Sequence, residues 1–489
     1  MAVRDSKSAR AIAGEVLREF DPAREYAGPI LDRLLDQTDQ RQRATDLVYG
    51  TLRNLHAIDA VIAQFSGRPI ARITPALLDI IRIAVYELAY SQATPVYSIV
   101  NEAVNNAGPV GGKKQTGFIN AVLRQIVRHI TDRQMELAKA DPRRTLIESP
   151  QAGCQFDTDF LPDPGTSLQV YLSTCFSLPP WLVGEWLEQF GSQQTRAICL
   201  ACNRRPSLYI RVNPLRTTLP DLLARFEQAG IRAELAAPGG IVKAEGLGDG
   251  FRVAGILPAL RGRDALDTAM DTGMVKIVGP HAVTQLPGFA EGLFTVQDLS
   301  ASQAVQVLDP QPGWSILDLC SAPGTKTTQL AEATGDSAHI IATDINPERL
   351  DRVRENIARL GLASVTIVPY AQLEQKQAGS FDAILLDAPC SNAGVLARRV
   401  EARFRVRRKA VQEIAATQKA LLAKAAGLVK PGGRICYSTC SIQRQENQDV
   451  TEFLTASSQF ELAREELILP SADSFDHDGA YVALLLRRS

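Results

Sequence analysis

Between residues 315 and 440 the chain repeats one pattern: a short apolar run, a polar break, then a helical stretch. The runs are "SILDLC" (315–320), "HIIATDI" (339–345), "SVTIVPY" (364–370), "FDAILLDAP" (381–389) and "RICYSTC" (434–440). Between them, "TKTTQLAEATG", "PERLDRVRENIARLG" and "VQEIAATQKALLAKAAGLV" place apolar residues three and four apart. Strands this uniformly apolar, alternating with helices, predict a doubly wound α/β domain, a parallel sheet covered by helices on both faces. "GAYVALLLRR" (479–488) fits a final antiparallel strand. In such a sheet the loops after neighbouring strands open on one edge, and ligands bind there. Polar or reactive residues at the strands' carboxyl ends are therefore the candidate site residues.

At 489 residues the chain needs more than this one domain. Helical spacing dominates the N-terminal part in "SARAIAGEVLREF", "RQRATDLVYGTLRNLHAIDAVIAQF", "TPALLDIIRIAVYELAYSQ" and "GFINAVLRQIVRHI", which predicts an all-α bundle. Thr74-Pro75 is a helix start, with Pro75 at the first helical position. The expected division is a helical domain over 1–133, a linker or insertion over 134–169, and a small α+β module over 170–285. An insertion is expected within that module near 250–275, and the α/β domain covers 286–489. The composition, 45% hydrophobic and 22% charged, is that of a soluble globular protein. No apolar run is long enough to span a bilayer, and the N-terminus lacks a signal-peptide block, so a cytoplasmic protein is expected. Eight cysteines in so long a chain do not suggest a disulfide framework. The "CLAC" pair, Cys199 and Cys202, reads as packing in preference to a metal site, and no metal is expected. A net charge of −1 leaves any nucleic-acid surface local.

"ILDLCSAPGTKT" (316–327) turns from the first strand into a helix at the place where nucleotide-like ligands bind. It matches neither the Walker loop nor the dinucleotide G-x-G-x-x-G pattern. Gly324 lets backbone approach a ligand, and the helix start offers free N–H groups. Asp344 ends the second strand and suits ribose hydroxyls, or equally caps the helix beginning near Pro347. Asp387, Pro389 and Cys390 end the fourth strand, and Cys440 ends the fifth. Both thiols and Asp387 can thus face one ligand. Cys320 and Cys436 read as core thiols within strands.

"DLCSAPGTKT", "LLDAPCSNAGV" and "YSTCSIQRQEN" resemble the motifs of the Sun/Nop family of RNA cytosine-5 methyltransferases. "TPVYSIVNEAV" and "GFINAVLRQI" resemble the RNA-binding NusB domain, and "IRVNPLRTT" with "LPGFAEGLFTVQDLSA" completes the pattern of the family's bacterial Sun/Fmu branch. The resemblance implies a Rossmann-like methyltransferase domain using S-adenosyl-L-methionine, a NusB-like bundle, a monomer, and RNA, specifically small-subunit ribosomal RNA, as partner. It implies cofactor contacts by Cys320, Ser321, Ala322, Pro323, Gly324, Thr325, Lys326, Asp344 and Asp387. It assigns nucleophilic attack to Cys440, product release to Cys390 and base recognition to Asp387. Lys326 is the expected cation that helps a thiol ionise. Three departures stand out. "VPYAQL" puts Ala371 where the family has an acid, Ser321 and Thr325 replace the usual Ala and Gly, and "GVLARRVEARF" replaces an Arg-His-Pro-Asp run.

Carbon 5 of cytosine is a poor nucleophile, and thiolate addition at carbon 6 makes it electron-rich; this is why the chemistry needs a cysteine. "RRVEARFRVRRK" (398–409) carries seven basic residues and one acid. Arg398, Arg399, Arg403 and Arg405 are its candidate phosphate contacts, against the alternative of a solvated helix face. In the bundle, Arg4, Lys7, Arg10, Lys113, Lys114, Arg124 and Arg128 are candidates for RNA. Besides RNA cytosine-5 methylation, two readings remain: an RNA-binding assembly factor with lost methylase activity, and a methylase of transfer RNA or DNA.

Overall fold

The computed structural model describes all residues except 1–5, 23, 237–241, 244–251, 255–272 and 376–377. The chain forms two compact units: Met1–Arg205 with Leu396–Val406, and Pro206–Val395 with Arg407–Ser489.

The first unit is built on helices Ala9–Glu19, Ala27–Leu34, Arg41–Arg53, Leu55–Ser66, Pro75–Tyr90 and Val96–His129. Their periodic apolar residues, among them Ile12, Val48, Ile62, Val85, Ile99 and Leu123, meet in one core. Ser8 caps the first helix by accepting from the Ala11 N–H at 3.2 Å, and Pro75 opens the fifth as the sequence predicts. Arg10, a candidate RNA contact by sequence, is instead buried against Glu87 and Glu102. Arg4 lies outside the described residues.

Residues 134–169, expected as a linker or insertion, carry most of an antiparallel sheet: β1 (Ile130–Glu136), β2 (Thr145–Ile147) and β3 (Ala152–Phe156), in the order β1-β3-β2. Leu146, Cys154 and Phe156 of these strands are buried in the core and Ile130 packs against it, so the apolar pattern is too short to read. Helices Leu168–Cys175 and Pro180–Asn203 follow, within the residues of the first unit. Cys199 and Cys202 are buried core thiols on the second of them.

The chain returns to the first unit at 396–406, and there the structure corrects an expectation. Arg403 is 2% exposed. Its guanidinium donates to the carbonyls of Arg53 (2.8 Å), Phe176 (3.1 Å), Cys202 (2.9 Å) and Leu396 (3.2 Å), and to Asn203 Oδ1 (2.9 Å). Arg403 is therefore a structural arginine, not a phosphate contact. Arg405 donates to the Pro22 carbonyl at 2.6 Å and lies over the Tyr26 ring. Arg399 is exposed and Arg398 half-buried. A basic run looks one-sided in sequence, but the short helix Ala402–Arg405 turns part of it inward to serve backbone acceptors.

The second unit begins with strands β4 (Leu208–Val212), β5 (Ala233–Ala236), β6 (Val242–Lys243), β7 (Arg252–Ala254), β8 (Met274–Ile277) and β9 (Phe294–Val296), ordered β6-β7-β5-β8-β4-β9. Helix Leu219–Gln228 packs Leu222 and Phe226 on them. Most of the expected insertion, 255–272, lies outside the described residues. Buried Arg211 of β4 pairs with Glu332 at 2.7 Å and reaches Thr328 Oγ1 at 3.2 Å. Both partners lie on the helix that follows the cofactor loop, so the module's strand fixes that helix.

The sheet beyond comprises β10 (Ser315–Asp318), β11 (His339–Ala342), β12 (Val365–Ile367), β13 (Phe381–Asp387), β14 (Val429–Thr439), β15 (Phe460–Ile468) and β16 (Ala480–Arg487). Its order is β12-β11-β10-β13-β14-β16-β15, with β10–β14 parallel and β16 antiparallel to both its neighbours. Alternate residues face opposite layers. Leu385 and Cys436 join Leu330 and Leu360 on one face, while Leu386 and Tyr437 join Leu422 on the other. The edge strand β15 escapes the sequence reading because most of its residues are solvent-exposed.

Candidate active site

The parallel strands deliver their last residues to one edge. The register sets Asp387 beside Ser438, so the loops after β13 and β14 leave side by side. Their thiols meet, with Cys390 Sγ and Cys440 Sγ 2.8 Å apart, both free and half-buried. Gly394 makes this approach possible. Its N–H donates to the Cys440 carbonyl at 3.0 Å, and a Cβ there would sit 2.8 Å from that oxygen and from the Gly479 carbonyl. Asn392, at φ 63°, accepts from the Cys440 thiol at 3.3 Å and donates to the Cys390 carbonyl at 3.2 Å.

Lys326, on helix Thr325–Ala333, forms an ion pair with Asp387. Ser438 joins them: its hydroxyl donates to Asp387 Oδ1 at 2.9 Å and accepts from Lys326 Nζ at 3.5 Å. Burial alone would lower the Lys326 ammonium, but the Asp387 carboxylate, aided by Cys440 and Asp318, holds it above its ordinary value. The hydrogen bond with Cys440 pushes the Cys390 thiol well up, as do burial and the charges of Cys440 and Glu446.

The cofactor loop lies on the same edge. Gly324 takes φ 102°, a left-handed value open to glycine, and begins the helix against Val353. Asp344 is buried; it accepts from the N–H groups of Ala322 (3.3 Å) and Asn346 (3.0 Å) and lies 3.4 Å from Arg349. The helical turn Pro347–Arg349 is capped by Asn346, which accepts from the Glu348 N–H at 3.0 Å, so Asp344 is not its cap. Cys320 sits just past the end of β10 and is half-buried, not within the strand. Cys436 is a core thiol bonded to the Ala304 carbonyl at 3.1 Å. Ala371, in the turn after β12, brings no carboxylate to this edge.

Among the described residues, Asp318 Oδ1, Ser321 Oγ and Thr343 Oγ1 are buried without hydrogen-bond partners. They cluster at the ends of β10 and β11, where Thr343 N–H donates to the Asp318 carbonyl and Ser321 N–H to that of Thr343. Orphaned buried acceptors are costly unless a ligand completes them. Burial pushes the Asp318 carboxyl up to about 7. This donor and acceptor set fits the amino-acid end of S-adenosyl-L-methionine, whose ammonium needs acceptors. Sequence reasoning passed over Asp318, Asn392, Ser438 and Glu446, although all four stand in or beside the motifs it singled out.

The described residues contain no helix long and apolar enough to cross a membrane, and no cluster of three or more metal-ligating side chains. In the first unit, Tyr97, Lys113, Arg124 and Arg128 line an open cavity of about 740 Å³.

Family profiles match three parts of the chain: 16S rRNA methyltransferase RsmB/F over 305–481, the NusB family over 7–128, and the ferredoxin-like domain of RsmF/B-like methyltransferases over 178–244. The probable ribosomal RNA small subunit methyltransferase B of Synechocystis is 33% identical over 90% of this chain and 87% of its own. The ribosomal RNA small subunit methyltransferase B of Serratia proteamaculans is 32% identical over 94% and 93%. The crystal structure of PH0851 superposes with a TM-score of 0.68 at 22% identity, covering 99% of each chain. A methyltransferase homolog protein from Pyrococcus horikoshii gives 0.51 at 23%, over 66% of this chain and 99% of its own. These two likenesses establish the fold. S-adenosyl-L-methionine is the cofactor, as in the matched methyltransferase family. With relatives above 30% identity along nearly its full length, the chain belongs to the ribosomal RNA small subunit methyltransferase B family.

Proposed function

We propose that this protein methylates carbon 5 of a cytosine in small-subunit ribosomal RNA through a transient bond between Cys440 and carbon 6. The meeting of two thiols beside a Lys–Asp pair, at the edge that carries the cofactor loop, is the observation that supports it. When bound, S-adenosyl-L-methionine supplies an electrophilic methyl group. Cysteine 320 through Lys326, Asp344 and Asp387 would hold it, with Asp318 receiving its ammonium.

The Cys440 thiolate adds to carbon 6, and the ring's double-bond electrons move to carbon 5, which then attacks. Lys326 favours the thiolate electrostatically. Asp387 hydrogen-bonds the base edge near N3 and offsets charge as the adduct forms. In the release step Cys390, its own proton having passed to solvent, takes the proton from carbon 5, the double bond re-forms, and the Cys440 thiolate is expelled. Once Cys440 is bonded to carbon it no longer carries the negative charge that opposes ionisation of Cys390. The largest influence holding Cys390 neutral then disappears, which frees that sulfur to act as the base. The base must leave its stack to reach both thiols, which favours single-stranded or flexible RNA. Arg399 and the cavity lined by Lys113, Arg124 and Arg128 offer phosphate contacts.

The test is incubation with radiolabelled S-adenosyl-L-methionine and small-subunit RNA. Labelled 5-methylcytosine at one position, lost in Cys440→Ala, supports the proposal. Full turnover by Cys440→Ala refutes the nucleophile assignment. Ala371 favours a second reading, an RNA-binding assembly factor with lost methylase activity, because it removes an acceptor from the cofactor edge. Tight RNA binding without label would select that reading, and label confined to transfer RNA would change the substrate.

A further inference from the structure

One buried carboxylate joins the two thiol loops and has no part in the scheme above. Glu446 is 0% exposed. From the loop after β13 it accepts the Ser391 N–H at 2.7 Å and the Ser391 hydroxyl at 2.5 Å. From the loop after β14 it accepts the Ser441 hydroxyl at 2.6 Å. Gln418 spans the same carboxylate and the Pro389 carbonyl, at 3.4 and 2.8 Å. Ser391 directly follows Cys390 and Ser441 directly follows Cys440. Each thiol is therefore one residue from a serine tied to the same carboxylate. Glu446 is itself anchored, since its carbonyl accepts from the Tyr437 hydroxyl at 2.5 Å.

The charges around the pair are unequal. Lys326 reaches Ser438, two residues before Cys440, at 3.5 Å, whereas Glu446 takes two hydrogen bonds from Ser391 beside Cys390 and one from Ser441, and its charge helps raise the Cys390 thiol. A carboxylate beside a thiol disfavours its ionisation, and an ammonium favours it.

We propose that Glu446 is a positioning residue for methyl transfer: it clamps the two thiol loops together and lays negative charge on the Cys390 side of the pair. The inference rests on the reading that Cys440 attacks and Cys390 serves in release. Its consequence is a division of labour between two adjacent sulfurs. Cys440 is the sulfur that attacks, and Cys390 stays a thiol until the adduct has formed.

The experiment is alkylation of the purified full-length protein by iodoacetamide from pH 6 to 10, without RNA. Mass spectrometry reads the rate at Cys390 and Cys440 separately. In the native protein Cys440 is modified at least about tenfold faster than Cys390 at neutral pH. Glu446→Gln keeps the shape and removes the charge. It raises the Cys390 rate about tenfold and moves its pH midpoint down about one unit, and Glu446→Asp restores both. In the methylation assay Glu446→Gln lowers kcat and leaves the KM for S-adenosyl-L-methionine unchanged. A folded Glu446→Gln protein with native alkylation rates and midpoints at both thiols overturns the proposal. Should Glu446→Gln fail to fold, Ser391→Ala tests the clamp, and native kcat in that variant overturns it. If the alkylation shift appears but the native protein forms no 5-methylcytosine, the thiol assignment stands and the functional reading falls.

Discussion

Replacing Asp318 by Asn makes the unliganded protein's stability respond to pH in a way that can be worked out in advance. Asp318 ends β10, is 1% exposed, and accepts from the Thr327 hydroxyl at 2.6 Å, while its Oδ1 is left without a partner. Burial raises its folded-state pKa to about 7, against 3.8 for the ordinary carboxyl. Because the folded value is the higher one, the group's stabilising contribution is full below about 3.8 and is lost as pH rises through about 7. Between pH 5 and pH 8 the unfolded carboxyl is already ionised and only the folded one changes state. That interval spans about two pKa units, or about 3 kcal/mol. Asn does not titrate, so the stability of Asp318→Asn relative to the native protein climbs by about 3 kcal/mol from pH 5 to pH 8. Pulsed hydrogen exchange in graded urea, read on peptides containing β10 and β13, isolates this unit from the helical one. A gap that stays constant with pH would refute the argument that Asp318 is buried and short of hydrogen-bond donors.

Other outcomes follow from the same geometry. Binding of S-adenosyl-L-methionine, measured by calorimetry, strengthens from pH 6 to pH 8 in the native protein because the ionised Asp318 receives the ammonium. In Asp318→Asn that pH dependence flattens. Arg403→Ala strands four buried carbonyls and the half-buried Asn203 oxygen and costs at least about 3 kcal/mol of stability, seen as a lowered thermal midpoint, while Arg403→Lys recovers part of it. Gly394→Ala drives a Cβ against the Cys440 and Gly479 carbonyls, costs about 1–3 kcal/mol, and lowers kcat more than it lowers the thermal midpoint.

The parts of the fold that the sequence makes legible are those whose burial is symmetrical. Strands β10, β11, β13 and β14 are covered on both faces, so every residue from Ile384 to Leu386 has to be apolar and the run announces itself. Strands β1–β3 and β15 are short or exposed, and their residues answer to single contacts that no periodicity records. The basic run at 398–409 misleads for a related reason. Sequence shows how many guanidinium groups there are, but not that the short helix buries Arg403 among backbone carbonyls. For the site, strand-end placement located Asp387, Cys390 and Cys440 because topology forces loops after parallel strands onto one edge. Asp318 and Glu446 were not legible, since their importance lies in what fails to partner the first and in what the second joins.

The same contrast explains why two cysteines at one edge need not be equivalent. A sheet can bring two thiols together by register alone, and at 2.8 Å ionisation of one sulfur opposes ionisation of its neighbour. Chemistry that uses one as nucleophile and the other as base requires something to break that symmetry. Here the break comes from outside the strands. The Lys326 ammonium arrives on a helix from the β10 side, paired with Asp387, and the Glu446 carboxylate arrives from the turn beyond β14. Neither charge lies on the strand that carries the thiol it biases. Exchanging the cysteines with their neighbours would therefore leave the bias in place, whereas Lys326→Met removes it from the Cys440 side. In Lys326→Met the Cys440 alkylation midpoint rises and that of Cys390 does not. Equal movement of the two midpoints would show that the sulfurs share one environment, and would remove the physical basis for giving them different tasks.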